Sequence, residues 1–282
     1  MSVIMSLFLG LVQGIAEFLP ISSSGHLSIL QNLFTLNYSE DDHLLFDVFL
    51  HLGTLISIIA VYRKDIKTMI SDGLAFLRMR SDSDSDEPVV MKPPARALLF
   101  VLIGTIPMLI VFIFSNSVKR LFFNVGFIGF ALIITGGLLF VSDRYIKKGN
   151  KTEKSMTLGD AIVIGLSQAA AVVPGLSRSG TTIAVGLARG LSGSFAVRFS
   201  LLLSIPAVFG AMVVTLYAAI RDGVNFSLFP TYLVGFVMAA ITGFFAIQLI
   251  RRLINKGGFG KFAFYCWGVG ALTIILSLVI NR

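Results

Sequence analysis

The sequence predicts an all-α polytopic membrane protein: six transmembrane helices plus two re-entrant helix–loop–helix hairpins in an inverted-topology repeat. Three observations predict it. The first is composition. Of 282 residues, 55% are hydrophobic and only 13% are charged, with mean hydropathy +0.87. A soluble chain would be about 45–50% apolar and roughly a quarter charged. That excludes an ordinary water-soluble globule, a coiled coil and a disordered chain. The second is six apolar stretches, 45–62, 97–116, 124–142, 199–219, 230–250 and 262–280. Each is long enough to cross a hydrocarbon core of about 30 Å. Five carry no formal charge, and the first holds Asp47 and His51. The third is a pair of apolar regions, 3–34 and 158–190, each broken near its middle by a cluster of Gly, Ser and Pro. Non-helical backbone at membrane depth is tolerated only where protein or water satisfies it, so each reads as a re-entrant hairpin.

The net charge of +8 would suggest nucleic acid in a soluble protein. Here it reads as topology, and no nucleic-acid partner is expected. The stretches Arg63–Arg96, Arg144–Lys154 and Arg251–Lys261, with Arg189 and Arg198, hold eighteen of the 23 basic residues, and six spans put all eighteen on one side. The positive-inside rule makes that side cytoplasmic, with both termini outside and the chain in the plasma (inner) membrane. Hairpin one then enters from outside and hairpin two from inside. The loop at 63–96 carries an acidic low-complexity segment, Ser81-Asp-Ser-Asp-Ser-Asp-Glu87, read as a solvated linker. The N-terminal apolar stretch lacks a small-residue cleavage site and reads as mature structure. A lone Cys266 excludes an intramolecular disulfide framework.

The whole chain, 1–282, reads as one integral membrane domain whose halves, 1–142 and 158–282, each begin with a hairpin. A shift of 155 residues sets Gly10-Leu-Val-Gln13 on Gly165-Leu-Ser-Gln168, and Ser22-Ser23-Ser24-Gly25 on Ser177-Arg178-Ser179-Gly180. Because the hairpins enter from opposite sides, the repeat is inverted, and a site is expected where the halves meet near the midplane. The copies differ where chemistry is decided. Copy one has Glu17, Ser23 and His26 where copy two has Val172, Arg178 and Thr181. One half supplies an acid, a hydroxyl and an imidazole, and the other a cation.

Ionisable groups inside a bilayer cost at least about 2.5–3.5 kcal/mol at a helix centre, which makes them functional candidates. Glu17 and Arg178 could still be a structural ion pair. In loop two, Gly175, Ser177, Arg178, Ser179 and Thr182 surround a helix N-terminus, a natural anion site to which Arg178 adds a phosphate-matching fork. That predicts a phosphate cradle for a phosphorylated lipid. In loop one, Gln13 and Glu17 at i, i+4 share a helix face and offer oxygens to a divalent cation. Ser23 and His26, three apart, suit a nucleophile–base pair, or His26 a general acid. Ser22 and Ser24 flank the same loop as diphosphate ligands, or simply cap the second half-helix. Asp47 and His51 at i, i+4 read equally as supporting partners or as a satisfied polar pair.

The two loops resemble one family. Gln13-Gly-Ile-Ala-Glu17-Phe-Leu-Pro20-Ile-Ser-Ser23-Ser-Gly-His26 is similar to the (E/Q)xxxE segment and following histidine of the undecaprenyl-diphosphatases, the BacA-type enzymes associated with bacitracin resistance. Pro174-Gly175-Leu-Ser177-Arg178-Ser179-Gly-Thr-Thr182 fits that family's PGxSRSxxT motif, and Phe46–Thr54 and Arg198–Pro206 are similar too. The resemblance spans essentially the whole chain. It implies hydrolysis of undecaprenyl diphosphate to undecaprenyl phosphate and inorganic phosphate, recycling the carrier lipid of cell-wall synthesis, with a divalent cation, Mg2+ or Ca2+, as cofactor. It also implies Glu17, Ser23, His26 and Arg178 as active-site residues and a site open to the outer face. Gln13 stands where many members have Glu, which removes one anionic metal ligand. Type-2 phosphatidate phosphatases share Ser-Gly-His and Ser-Arg but need a second histidine where this chain has Ala184. A polyprenyl-phosphate flippase or ion-coupled transporter remains the alternative, since inverted repeats also build carriers. The expected partners are a polyprenyl diphosphate and the bilayer, and the sequence leaves open a homodimer.

Overall fold

A computed structural model of the chain describes residues 2–33, 40–81, 90–113, 118, 120–146, 149–222 and 228–280. All regular structure among these residues is helical: α1 Val3–Phe18, α2 Ser23–Leu33, α3 Glu40–Ser81, α4 Pro93–Thr105, α5 Met108–Ile113, α6 Val125–Ile146, α7 Leu158–Ala170, α8 Arg178–Ala188, α9 Gly193–Asp222, α10 Phe229–Lys256 and α11 Phe262–Ile280, with a 3₁₀ turn at Phe259–Lys261. Six helical segments are long and apolar enough to cross a membrane, Leu45–Arg80, Pro93–Val111, Val125–Tyr145, Gly193–Tyr217, Phe229–Lys256 and Phe259–Val279. They match the six predicted spans. The acidic residues Asp82–Glu87 lie outside the described residues, as do Lys119 and Arg282.

Prolines and caps set the helix ends. Pro20 forces Leu19 into extended backbone (φ −70°, ψ 145°), which stops α1. Thr157 and Asp160 form a reciprocal capping box at the start of α7. Pro107 cannot donate, so α4 closes through Ile106 N–H to Ile103 at 3.1 Å and the chain restarts as α5. The predicted span 97–116 is therefore a broken helix over its described part. The predicted cytoplasmic loop 63–96 differs more. Over Arg63–Ser81 it is helix, continuing α3 beyond a kink at Tyr62 (φ −102°, ψ 17°). Its charges come interleaved with Ile66, Met69 and Ile70, so the segment keeps one apolar stripe.

Small residues set the packing, as expected where lipid removes the hydrophobic drive between helices. Gly235, Ala239 and Gly243 make a stripe on α10 that receives Gly10 and Gly14 of α1 on one side and Gly53 of α3 on the other. Likewise Gly165 of α7 lies against Gly104 of α4. On the α6–α11 pair, Gly129 and Gly270 face each other reciprocally: a Cβ on either would stand 2.7 Å from the other's carbonyl oxygen.

The basic loops gather at one end of the bundle. Arg96 donates to the Met156 carbonyl at 2.9 Å, Arg198 pairs with Asp65 at 3.1 Å and Glu153 at 2.5 Å, and Asp143 accepts from Gly260 N–H at 3.0 Å. Segments that are distant in sequence thus share one end, as the single-sided distribution of basic residues requires.

Candidate functional site

The α1–α2 and α7–α8 breaks face each other inside the bundle. A Cβ on Gly25 would stand 3.1 Å from the Gly175 Cα, and one on Gly180 would stand 3.1 Å from the Pro20 Cβ. Their caps match across the 155-residue shift. Gly25 N–H donates to Ser22 Oγ at 3.2 Å, and Gly180 N–H to Ser177 Oγ at 3.0 Å. The turns differ. Ser177 is extended (φ −71°), while Ser22 sits in the left-handed region at φ +70°. For a residue with a side chain, that conformation costs roughly 1–2 kcal/mol. Gly175, at φ +92°, has no such penalty, and its carbonyl accepts from Thr135 Oγ1 at 2.9 Å.

Glu17, 5% exposed, is the centre of the polar cluster. One carboxylate oxygen pairs with the Arg178 guanidinium. The other accepts from Ser23 Oγ at 2.6 Å and from Gln13 Nε2 at 3.1 Å. His51 Nδ1 lies 3.6 Å from that oxygen and accepts from Gln13 Nε2 at 3.0 Å, which leaves the proton of a neutral ring on Nε2. Three short helices and one span thus place an acid, a cation, a hydroxyl and an imidazole in contact.

These groups form one wall of a cavity of about 310 Å³. Ser22, Ser23, Ser24, Ser177, Arg178 and Ser179 extend the polar wall, and Asp47 and His51 close it from α3. The rest of the lining is largely apolar and includes Met108 of α5 and Ala207, Val208, Ala211 and Met212 of α9. Such a cavity suits an anionic head carried on an apolar chain.

Not every predicted residue reaches it. Thr182 turns away, its Oγ1 donating to the Arg178 carbonyl at 2.8 Å and meeting Ser200 Oγ at 2.5 Å. Gly175 is packed on α6 against the Ile128 carbonyl and Ala131. The expected Ser23–His26 pair is not formed. Ser23 is committed to Glu17, while His26 bonds the Ser22 carbonyl through Nδ1 at 2.8 Å and Tyr265 through Nε2 at 2.8 Å. Thr135 and Tyr265 carried no sequence signal, because each reaches its loop from a helix far along the chain. Asp47 and His51 did carry one, their i, i+4 spacing; Asp47 accepts from Gln31 at 2.8 Å.

For a cation, Gln13 and Glu17 offer oxygens on one face of α1. Gln13 Oε1 is buried and has no hydrogen-bond partner among the described residues, an oxygen that a metal would satisfy. Among the described residues no cluster of three or more His, Cys, Asp or Glu side chains could hold a metal. The donor set therefore fits a hard cation only where phosphate oxygens complete the shell.

The chain is similar to known proteins along nearly its whole length. The family model for bacitracin resistance protein BacA matches residues 6–272. An undecaprenyl-diphosphatase of Methanobrevibacter smithii is 40% identical over 280 residues, covering 99% of each chain. Those of Halothermothrix orenii and Carboxydothermus hydrogenoformans are each 37% identical, covering 98% and 96% of this chain and 99% and 96% of their own.

Proposed function

The chain belongs to the BacA family of bacitracin resistance proteins, and from that premise we propose how it works as an undecaprenyl-diphosphate phosphatase. It is a hydrolase that converts undecaprenyl diphosphate to undecaprenyl phosphate and inorganic phosphate, serving cell-wall synthesis. The observation that carries the mechanism is the 2.6 Å hydrogen bond from Ser23 Oγ to a Glu17 carboxylate whose other oxygen holds Arg178.

In this reading the diphosphate binds between Arg178, Ser177, Ser179 and Ser24, with the first isoprene units along Ala207, Val208 and Met108. Ser23 Oγ attacks the terminal phosphorus while Glu17 takes its proton. The Oγ–P bond forms, the bridging P–O bond breaks, and undecaprenyl phosphate leaves. Water then attacks the phosphoserine, Glu17 returns its proton to the departing Ser23 Oγ, and the P–Oγ bond breaks to give inorganic phosphate and the free hydroxyl. Most of the acceleration would come from positioning and from preorganised charge around the transferring group. A divalent cation, Mg2+ or Ca2+, would be held by Glu17 and Gln13 Oε1 together with the diphosphate, and would neutralise phosphate charge.

The same reading treats α1–α2 and α7–α8 as re-entrant hairpins of an inverted repeat. At 1.5 Å per residue, helices of 16, 11, 13 and 11 residues are each too short to cross about 30 Å. The matched serine caps, the exchanged pairings of α1 on α10 and α7 on α4, and the reciprocal Gly129–Gly270 contact support a two-fold relation between the halves. Loop charge supports outside termini and a site reached from the outer face. The transporter alternative gains nothing from the relatives, which are named as diphosphatases.

The test is phosphate release from undecaprenyl diphosphate by the purified protein in detergent, where no membrane gradient exists. Turnover is expected. A protein that binds the lipid diphosphate but releases no phosphate, with Mg2+ or Ca2+ supplied, would overturn the reading.

A further inference from the structure

We propose that His26 is a positioning residue: with Tyr265 it braces the left-handed turn at Ser22 that presents Ser23 to Glu17. This rests on the phosphatase reading above. His26 Nδ1 lies 2.8 Å from the Ser22 carbonyl, which can only accept, so that nitrogen carries the ring proton. Nε2 of the neutral ring is then an acceptor, and Tyr265 O–H donates to it at 2.8 Å. The two rings lie nearly parallel, 8° apart with centroids 5.6 Å apart. Both nitrogens are committed to the protein, and the imidazole does not line the cavity that Glu17, Ser23 and Arg178 line.

What the brace holds is the strained residue. Ser22 is the one non-glycine residue with positive φ among the described residues, and it immediately precedes Ser23. Its carbonyl receives two bonds from His26, one from the ring and one from the backbone N–H at 3.2 Å. The second half supplies the control. There the equivalent turn at Ser177 has ordinary φ, and the residue in the His26 position is Thr181, whose Oγ1 has no partner among the described residues. The histidine stands only where the turn is left-handed. The chemistry does not call for it either, since the leaving group is a phosphate that departs as a stable anion without protonation.

Asparagine can test this, because the same helix shows it in the required role. Asn32 Nδ2 donates to the Ser28 carbonyl four residues back at 2.7 Å, the register of His26 to Ser22. His26→Asn, which keeps the bond to the Ser22 carbonyl and gives up the one to Tyr265, is expected to melt like the parent and to lose no more kcat than Tyr265→Phe, although it has no imidazole. His26→Ala is expected to lose about 100-fold in kcat, the effect of a displaced attacking group, with KM little changed. Tyr265→Phe is expected to lower kcat about two- to tenfold through one lost hydrogen bond, again with KM little changed. A dead His26→Asn, folded or not, overturns the brace, as does a fully active His26→Ala; an unaltered Tyr265→Phe removes Tyr265 from it. A parent protein that releases no phosphate would instead overturn the phosphatase reading.

Discussion

Ser23 and Glu17 meet across the break between α1 and α2, hydroxyl to carboxylate at 2.6 Å, although they stand on different helices six residues apart. The contact pairs a nucleophile with a base. Ser23→Ala is expected to abolish turnover while leaving diphosphate binding largely intact. Glu17→Gln should lose about 10²- to 10⁴-fold in kcat, the usual worth of a positioned base. Phosphate release and binding of a non-hydrolysable prenyl diphosphonate, measured on both variants, check it. Near-parent turnover by Ser23→Ala would make water the attacking group.

Arg178 holds Glu17 from the other side and offers a planar fork to phosphate. Arg178→Lys keeps the charge but loses the paired donors, so KM should rise and kcat fall. Arg178→Ala should lose both binding and turnover. It also strands a buried carboxylate, at a cost of about 3–5 kcal/mol for a broken buried pair. Adding Glu17→Gln to Arg178→Ala should therefore recover part of the lost melting temperature. No recovery would mean that the pair contributes nothing to stability.

Asp160 ties the basic end together. It accepts from Lys151 at 3.0 Å, Arg189 at 2.8 Å and Thr157 N–H at 3.0 Å. Burial alone would push its carboxyl up, but these donors hold it down to about 2. A folded value below the ordinary 3.8 stabilises the fold above about pH 4, and that stabilisation is lost as pH falls towards 2. Asp160→Asn should thus lower the melting temperature at pH 7. The gap from the parent should narrow at pH 3 in thermal melts in detergent. A gap independent of pH would show that the carboxylate's charge is not what matters.

Gly14 sits one turn before Glu17, where α1 crosses α10. A Cβ there would run into Thr242 and stand 2.7 Å from the Ala239 carbonyl and 2.8 Å from Gly243 N, and backbone cannot yield cheaply. Gly14→Ala should cost about 1–3 kcal/mol. It should also reduce activity by shifting Glu17. Gly268→Ala, with open space around its Cβ position, is the matched control and should be tolerated. Equal melting temperatures for the two variants would contradict the close crossing.

The sequence made the spans legible because lipid demands long, uncharged helices. It made the two breaks legible because Gly, Ser and Pro interrupt them. Glu17 and Arg178 could be found because charge is conspicuous against so apolar a background. Side-chain partners were less accessible. A spacing of three suggested Ser23 with His26, yet Ser23 is the first residue of α2 and finds Glu17 on the preceding helix. His26, one turn on, is drawn to Tyr265 on α11. Thr135 and Tyr265 could not be read at all, since nothing local marks a residue that braces a loop 40 or more positions away. The helix at Arg63–Ser81 is hard to read from sequence because its charges mask a narrow apolar stripe.

The carboxylate of Glu17 carries a consequence for ligand access. With Arg178 on one oxygen and Ser23 and Gln13 on the other, that carboxylate is already electrically satisfied within the protein. An incoming anion must share the guanidinium with an internal rival that is tethered beside it at a high effective concentration. A diphosphate brings more charge to that competition than a monoanion does. Discrimination between head groups can therefore begin with a residue of the protein itself, before any isoprene unit is felt.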